Sequence, residues 1–208
     1  MNVSIAGSPR PRRTQEERRA ETRRKLIDAT IQALQERGAA RMTMAEVAEK
    51  AGLTRGAIQY HFETPTELLK ATVVEIAERM GSMIDIDVLR GMELGPRIDA
   101  LIDANWEAYT SGDYVAFLEI AIQGRIEPEL GTVVRETLDE IELSRAETWT
   151  ELFADTGRTR DEIVAWRTAL QVMARGLALS KMIAHQEAIV DPQVERFKAM
   201  LKQQLVAA

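Results

Sequence analysis

The chain has 208 residues, with 27 Lys and Arg against 33 Asp and Glu, a formal net charge of −6. Apolar residues make up 45% and charged residues 29%, which excludes collagen-like, low-complexity and disordered chains. The absence of cysteine excludes disulfides, thiolate metal sites and a cysteine nucleophile. No apolar run approaches the ~18 residues of a membrane span, and no secretory signal pattern opens the chain. We therefore expect a cytoplasmic protein with no membrane partner.

Sequence motifs for catalysis are absent. The two histidines, His61 and His185, lie far apart, and neither belongs to a Glu-x-x-His or His-Glu-x-x-His pattern. The phosphate-binding Gly-x-x-x-x-Gly-Lys and the nucleophile pattern Gly-x-Ser-x-Gly are missing as well. We therefore predict no catalytic residue, no metal site and no cofactor, and we do not expect an enzyme.

Charge is distributed unevenly along the chain. Residues 1–64 carry twelve Lys and Arg against eight Asp and Glu, whereas residues 65–208 carry fifteen against twenty-five. A basic first third on an acidic body indicates a polyanionic partner. Pro9 and Pro11 disfavour a helix at the start, so we predict a flexible basic arm over residues 1–15. A solvated charged tail is the alternative that charge alone leaves open.

The first predicted helix covers residues 16–37. These residues are strong helix formers, and Ile27, Ile31 and Leu34 recur at helical spacing to give an apolar stripe. Gly38 follows directly and is expected to end the helix as a C-cap glycine.

Two capping boxes mark later helix starts. In the first, the Thr43 hydroxyl is expected to accept a backbone N–H while the Glu46 side chain reaches back. Thr64 and Glu67 repeat this pattern, with Pro65 at the favoured first helical position. The second box predicts a helix that runs to about residue 80.

Between these boxes the sequence predicts a helix-turn-helix. Short helices over residues 44–51 and 55–61 are joined by a three-residue turn that contains Gly52, where we expect a positive φ. Thr54 is the expected N-cap of the second helix. In a DNA-binding motif that helix presents its first turn to the major groove. A helical hairpin that only packs is the alternative.

The segment TMAEVAEKAGLTRGAIQYHF, followed by Glu67, Leu68 and Leu69, resembles the DNA-binding segment of the TetR family of transcription regulators. The match covers about residues 22–70, and beyond it the likeness is one of length and helical content. After the basic arm over 1–15, the resemblance implies two further parts: a helix-turn-helix domain over 16–63, and an effector-binding and dimerisation domain over 64–208 that begins with a linker helix, 64–80.

The predicted DNA contacts lie mainly on the helix over residues 55–61. Arg55 stands at its N-terminal end, where a docked helix meets base edges, and arginine pairs bidentately with guanine. Gln59 is one turn later with an amide suited to adenine, while Tyr60 is aimed at the backbone. A phosphate contact is the alternative for Arg55. The full predicted set is Thr43, Thr54, Arg55, Gly56, Gln59, Tyr60 and His61.

Two positions depart from the family pattern. The family usually has Tyr where this chain has Gln59, and Lys where it has Pro65. Both family residues commonly contact phosphates. Tyr60 can supply a hydroxyl in place of the first, but Pro65 cannot donate a hydrogen bond.

The rest of the chain is predicted to be helical. Residues 81–95 contain three glycines and are expected to form an irregular connection. Five helices are predicted after it, so that the fold is all-α with about nine helices. Pro96, Asp113, Pro128 and Pro192 are the expected helix starts. The predicted ranges are 96–110, 113–126, 128–154, 160–187 and 192–206.

Polar residues on apolar helix faces suggest an effector pocket. Asn105 interrupts one apolar face, and Arg145 lies between Ile141 and Trp149 on another. As sequence patterns, a hydrogen-bonded interhelical Asn, a snorkelling Arg and core aromatics are the more common interpretations. The candidates for contact with an unknown small molecule are Asn105, Tyr109, Phe117, Arg145 and Trp149.

The predicted helix over residues 160–187 has two apolar faces. One contains Ile163, Leu170 and Leu177 and is expected to pack on its own domain. The second, rotated by about 100°, is expected to meet a symmetry mate in a four-helix bundle together with the last helix. The predicted dimer residues are Ala169, Val172, Gly176, Leu179, Ile183, Phe197 and Leu201.

Together these patterns predict a dimeric, ligand-responsive DNA-binding regulator. By the resemblance it is a repressor, released from a palindromic double-stranded operator when a small molecule binds. The alternative is a helix-bundle interaction module whose basic N-terminus binds an acidic protein or anionic lipid. An enzyme is the third interpretation, for which the sequence offers no candidate residues.

Overall fold

The computed structural model of the protein describes residues 14–184 and 187–206. This part of the chain is helical with no strand, which confirms the predicted all-α fold. The predicted arm lies almost entirely outside the described residues. The helices are α1 (Gln15–Arg37), α2 (Met44–Lys50), α3 (Arg55–His61), α4 (Pro65–Ser82), α5 (Ile86–Arg90), α6 (Leu94–Thr110), α7 (Gly112–Gln123), α8 (Pro128–Leu152), α9 (Arg160–Ala184) and α10 (Glu187–Val206).

The N-terminal three helices form where local signals predict them. Gly38 ends α1 at φ 75°, and Gly52 provides the turn between α2 and α3 at φ 67°. Leu26, Val47 and Phe62 are completely buried between the three helices, so hydrophobic burial holds α2 and α3 against α1.

Helix caps in this region are more varied than predicted. Thr43 and Thr64 each accept the expected backbone N–H three residues later. The Glu46 carboxylate, however, pairs with Arg37 of α1 at 2.7 Å instead of closing the first box. A complete reciprocal capping box forms at Thr14 and Glu17, at the predicted end of the arm.

The segment predicted to be irregular, residues 81–95, contains the additional helix α5. The Asp85 side chain caps it by accepting the backbone N–H of Val88 at 3.0 Å. Other boundaries also shift. The N-cap of α7 is Ser111 rather than Asp113, and Pro192 lies inside α10 rather than at its start.

Arg97 of α6 connects the segment after α5 to the C-terminal end of α8 by hydrogen bonds. Its guanidinium is buried and donates to the backbone carbonyls of Met92 and Leu152. A bidentate pair with Asp155 completes its contacts, at 2.8 and 2.9 Å. The hydrogen bond from Arg97, opposed by weak burial, keeps the pKa of the Asp155 carboxyl below its usual value.

The core is continuous across the predicted boundary between the domains. One apolar cluster joins residues of α1 to α4 to buried residues of α6 to α9, such as Ile120 and Ala174. Polar contacts add to it: Arg79 of α4 pairs with Asp28 of α1, and Glu119 of α7 accepts the backbone N–H of Ala39 at 3.2 Å. The segment predicted to bind DNA therefore packs directly against the other helices.

A second apolar cluster lies between α5, α6, α8, α9 and α10. It includes Phe197 and Leu201, which are 5% and 0% exposed. The prediction that these two residues face a partner is wrong, because α10 turns this side towards its own protomer. None of the helices in the described part of the chain is long and apolar enough to span a bilayer.

Candidate nucleic-acid interface and internal cavity

Helix α3 presents one face outward because its other face is anchored. Ile58 and Phe62 are buried, and the Thr54 hydroxyl accepts the backbone N–H of Ala57 at 3.2 Å to fix the start of the helix. Arg55 in the first turn and Gln59 one turn later are both exposed. This is the geometry in which a short helix can insert its N-terminal turn into a major groove.

Basic residues of α1 lie beside α3. The guanidinium of Arg19 stands 5.6 Å from the ring centroid of Tyr60, and that of Arg23 stands 4.5 Å from the ring of Phe62. Neither arginine, nor Arg55, forms an ion pair with any residue that the structure describes. Their charges are thus available to a polyanion.

His61 packs edge-on against Tyr60, with 5.2 Å between ring centroids. Partial burial lowers the pKa of His61, and the positive charges of Arg19 and Arg23 lower it further. Burial and the neighbouring arginines therefore both favour the neutral form of the imidazole.

The seven predicted DNA-contacting residues are accessible to solvent to different degrees. All are exposed except His61, which is half-buried; Tyr60 is 68% exposed. The hydroxyls of Thr43 and Thr54 already accept backbone N–H groups, which leaves each free to donate its own proton to a phosphate. The space around Gly56 is open: a Cβ atom added there would have Thr54 Oγ1, at 3.9 Å, as its nearest neighbour.

A cavity of about 160 Å³ lies inside the helical body. Met80 and Gly81 of α4 form one wall. The predicted effector residues Asn105, Tyr109, Arg145 and Trp149 line it as well; the other lining residues are Ile84, Ile86, Ala108, Thr148, Arg167 and Gln171. A smaller cavity of about 30 Å³ shares Tyr109 and Arg145 and includes the fifth candidate, Phe117. All five candidates therefore come together.

The two polar candidates differ from the common interpretations of their sequence patterns. The Asn105 amide donates to the Leu101 carbonyl of its own helix at 2.8 Å, not to another helix. Arg145 does not snorkel to solvent but donates from Nη2 to the Ala77 carbonyl of α4 at 2.9 Å. Burial lowers the pKa of Arg145, an effect only partly offset by Tyr109 and Glu142.

Four charged or amide residues at the cavities were not among the sequence candidates: Glu142, Arg167, Gln171 and Arg175. Glu142 of α8 accepts hydrogen bonds from Arg167 Nη1 at 2.6 Å and from Gln171 Nε2 at 3.0 Å, both on α9. Burial of Glu142 opposes its ionisation, but the hydrogen bond and charge of Arg167 lower the pKa of its carboxyl. The spacing of Arg167, Gln171 and Arg175 by four residues is the signal that could have identified a polar stripe on α9.

The second apolar face of α9 is open to solvent. Val172 is 65% exposed, Leu179 41% and Ile183 69%, and Ala169 and Gly176 are exposed between them. The other predicted face is covered, since Ile163 and Leu170 are buried in the second core cluster.

Comparison with known proteins decides the family. Residues 26–72 match the bacterial regulatory proteins of the tetR family. The chain is 30% identical to the HTH-type transcriptional regulator CymR of Pseudomonas putida over 173 residues. The aligned segment covers 82% of this chain and 84% of CymR. The chain belongs to the TetR family.

Further relatives share shorter segments or the fold of this TetR-family protein. The regulator TtgR of Pseudomonas putida is 48% identical over 67 residues, 32% of this chain and 31% of that protein. A TetR-family regulator from Rhodococcus sp. superimposes with a TM-score of 0.71 at 16% identity, covering 89% of this chain and 99% of that one. Salmonella enterica GusR superimposes with a TM-score of 0.68 at 18% sequence identity, and the superposition covers 92% of this chain and 97% of GusR.

Membership of the TetR family establishes the general activity. The curated relatives are helix-turn-helix transcriptional regulators, and the present chain is a DNA-binding transcriptional regulator of the same kind. The family is one of regulators rather than enzymes. Within the described residues, no group of three or more His, Asp and Glu side chains is placed to hold a metal ion.

Proposed function

We propose that this TetR-family regulator is a dimeric repressor, which a small molecule releases from a palindromic operator. The observation that carries the proposal is the position of α4. Its Ala77 carbonyl and its residues Met80 and Gly81 meet the cavity, while Arg79 of the same helix pairs with Asp28 of α1. One helix thus touches both the candidate effector site and the DNA-binding segment.

On the DNA side, the exposed face of α3 enters a major groove. Arg55 and Gln59 contact base edges, and Tyr60 contacts the backbone, together with Thr43 and Thr54 at the helix starts. Gly56 allows close approach of the α3 backbone, and His61 lies beside Arg19 and Arg23 at the phosphates. Residues 1–15 supply further basic contacts in the adjacent minor groove.

Two such faces are needed to read a palindrome. The exposed face of α9 pairs with that of a second copy, because scattered exposed apolar residues are ordinary but a continuous helical stripe is typical of an interface. A Cβ atom added at Gly176 would have no atom within 4 Å, so the protomer itself does not need glycine there. Close approach of a partner helix explains the small residue.

Ligand occupancy then shifts the balance between two subunit arrangements. A molecule in the cavity contacts α4 and favours the arrangement in which the two α3 helices no longer fit grooves ~34 Å apart. Such coupling typically amounts to ~1–3 kcal/mol, about 5- to 150-fold in affinity. The action proposed is on cytoplasmic DNA and involves no chemical reaction.

The proposal is tested by measuring operator affinity with and without compounds that bind the cavity. Compounds are first identified by thermal stabilisation of the protein, and the operator duplex by selection from random sequences. We expect stabilising compounds to weaken operator binding at constant salt, and the operator to weaken compound binding by the same factor. Operator affinity that stays constant across all cavity-binding compounds would contradict release by an effector.

A further inference from the structure

The two adjoining cavities carry an excess of positive charge. Arg145, Arg167 and Arg175 contribute three guanidinium groups to their walls. Glu142 is the single carboxylate among the described residues that line them. Because arginine stays protonated in proteins, the site has a local charge close to +2.

The arginines are incompletely paired. Arg167 is 3% exposed; its Nη1 donates to Glu142, but its Nη2 is buried with no hydrogen-bond partner among the described residues. The Nε of Arg175 is likewise buried and has no hydrogen-bond partner among the described residues. A buried donor without an acceptor is destabilising, and more so when the group is charged.

Arg167 and Arg175 both lie within ion-pair distance of Glu142, whereas Arg145 forms no ion pair with a described residue. Its contact at Nη2 is the neutral Ala77 carbonyl. Burial is the main cause of its lowered pKa, and repulsion from Arg167 and Arg175 acts in the same direction. An anion bound beside Arg145 and Arg167 would give Arg167 Nη2 an acceptor and would reduce the repulsion between the guanidinium groups.

The remainder of the larger cavity is apolar and small. Met80, Ile84, Ile86 and Trp149 line it. Its volume of about 160 Å³ is close to the ~150 Å³ of an engineered apolar cavity that binds benzene. The space therefore suits a compact body of about one ring rather than a nucleotide or a long acyl chain.

We propose that the effector is a small organic monocarboxylate with a compact apolar body. Its carboxylate lies against the guanidinium groups of Arg145 and Arg167, whose planar forks match the two carboxylate oxygens. Glu142 holds Arg167 in place and disfavours a more highly charged anion. The apolar body contacts Ile84, Ile86 and Trp149. This inference rests on the proposed function only for the effect on DNA; binding itself is independent of it.

The test is calorimetric titration of the full-length protein without DNA. The probes are benzoate, phenylacetate and cyclohexanecarboxylate, each paired with its neutral amide, and sodium sulfate at equal ionic strength. We expect at least one carboxylate to bind at least tenfold more tightly than its amide and than sulfate. If all three acids bound no more tightly than their amides, the proposal would be overturned. If sulfate bound as tightly as the acids, the claim that the ligand has an apolar body would be overturned.

Variants locate the site. Arg145→Gln removes one guanidinium but retains a donor for the Ala77 carbonyl, and we expect it to weaken carboxylate binding about tenfold or more. Arg135→Gln changes an exposed arginine of the same helix and should leave binding unchanged. Circular dichroism verifies that both variants fold. Undiminished binding by folded Arg145→Gln would contradict the assignment.

The two proposals can fail separately. A carboxylate that binds through Arg145 but leaves operator affinity unchanged would refute effector release and retain this inference. Release of the operator by neutral or cationic compounds, with no carboxylate bound, would refute the inference and retain the proposed function.

Discussion

Arg55 and Tyr60 are both exposed on α3 but differ in what they are expected to contact. Arg55 lies in the first turn, and Tyr60 is rotated towards Arg19 on α1. Arg55→Ala should lower operator affinity by ~1–3 kcal/mol and relax base preference at one position of each half-site. Tyr60→Ala should weaken binding evenly across sequences. Selection of bound duplexes with both variants distinguishes them, and unaltered preferences for Arg55→Ala would refute base reading.

His61 makes the stability of the protein depend on pH. Its pKa in the folded state is lowered, so in the unfolded state it takes up a proton at higher pH. As the pH falls below ~6.5, the unfolded state gains protons first and the free energy of unfolding decreases. We expect His61→Gln to reduce this decrease, as measured by urea unfolding on both sides of that pH. An identical pH dependence in the variant would contradict the assigned cause.

At the scale of elements, the turn between α2 and α3 depends on one backbone conformation. Gly52 has φ 67°, and a Cβ atom added there would have no atom within 4 Å, so substitution meets strain but no steric clash. Gly52→Ala should lower the free energy of unfolding by ~1–2 kcal/mol. Gly52→Asn should be tolerated better, because Asn adopts the left-handed region more readily. Urea unfolding of both variants measures this, and equal losses would argue against strain as the cause.

Helices with local start and stop signals were predictable from the sequence. Thr54, Thr64, Gly38 and Gly52 fix α1 to α4 through contacts within a few residues, and the predicted boundaries agree closely with the structure. Helix α5 was missed because its glycine-rich surroundings outweighed the cap at Asp85.

Features that depend on packing between helices were less predictable. The sequence indicated that α10 has an apolar face but could not indicate whether its own protomer or a partner covers it, hence the error at Phe197 and Leu201. Arg167 was missed for a related reason: its four-residue spacing with Gln171 and Arg175 indicates a polar stripe, but its contact with Glu142 of α8 depends on how the two helices pack.

At the scale of the whole molecule, the exposed α9 face predicts the oligomeric state. Gly176→Glu introduces a charge where the protomer has open space, so the protomer should fold. We expect sedimentation to show monomers that bind the operator weakly. Ser144→Glu adds the same charge at an exposed position of α8 and should remain dimeric. A wild type that sediments as a monomer at micromolar concentration would contradict the proposed interface.

The basic arm is tested by the salt dependence of DNA binding. Deletion of residues 1–13 removes three arginines. Each lost phosphate contact should reduce the slope of log affinity against log salt concentration by ~0.9. An unchanged slope would mean that the arm does not contact DNA.

The central claim is that two copies of α3 read DNA sequence together. Selection of bound duplexes from a random pool by the wild-type protein tests it most directly. We predict enrichment of an inverted repeat whose half-sites lie about one helical turn apart, ~34 Å between centres. Failure to enrich any sequence, or enrichment of a single half-site without its inverted copy, would contradict the account.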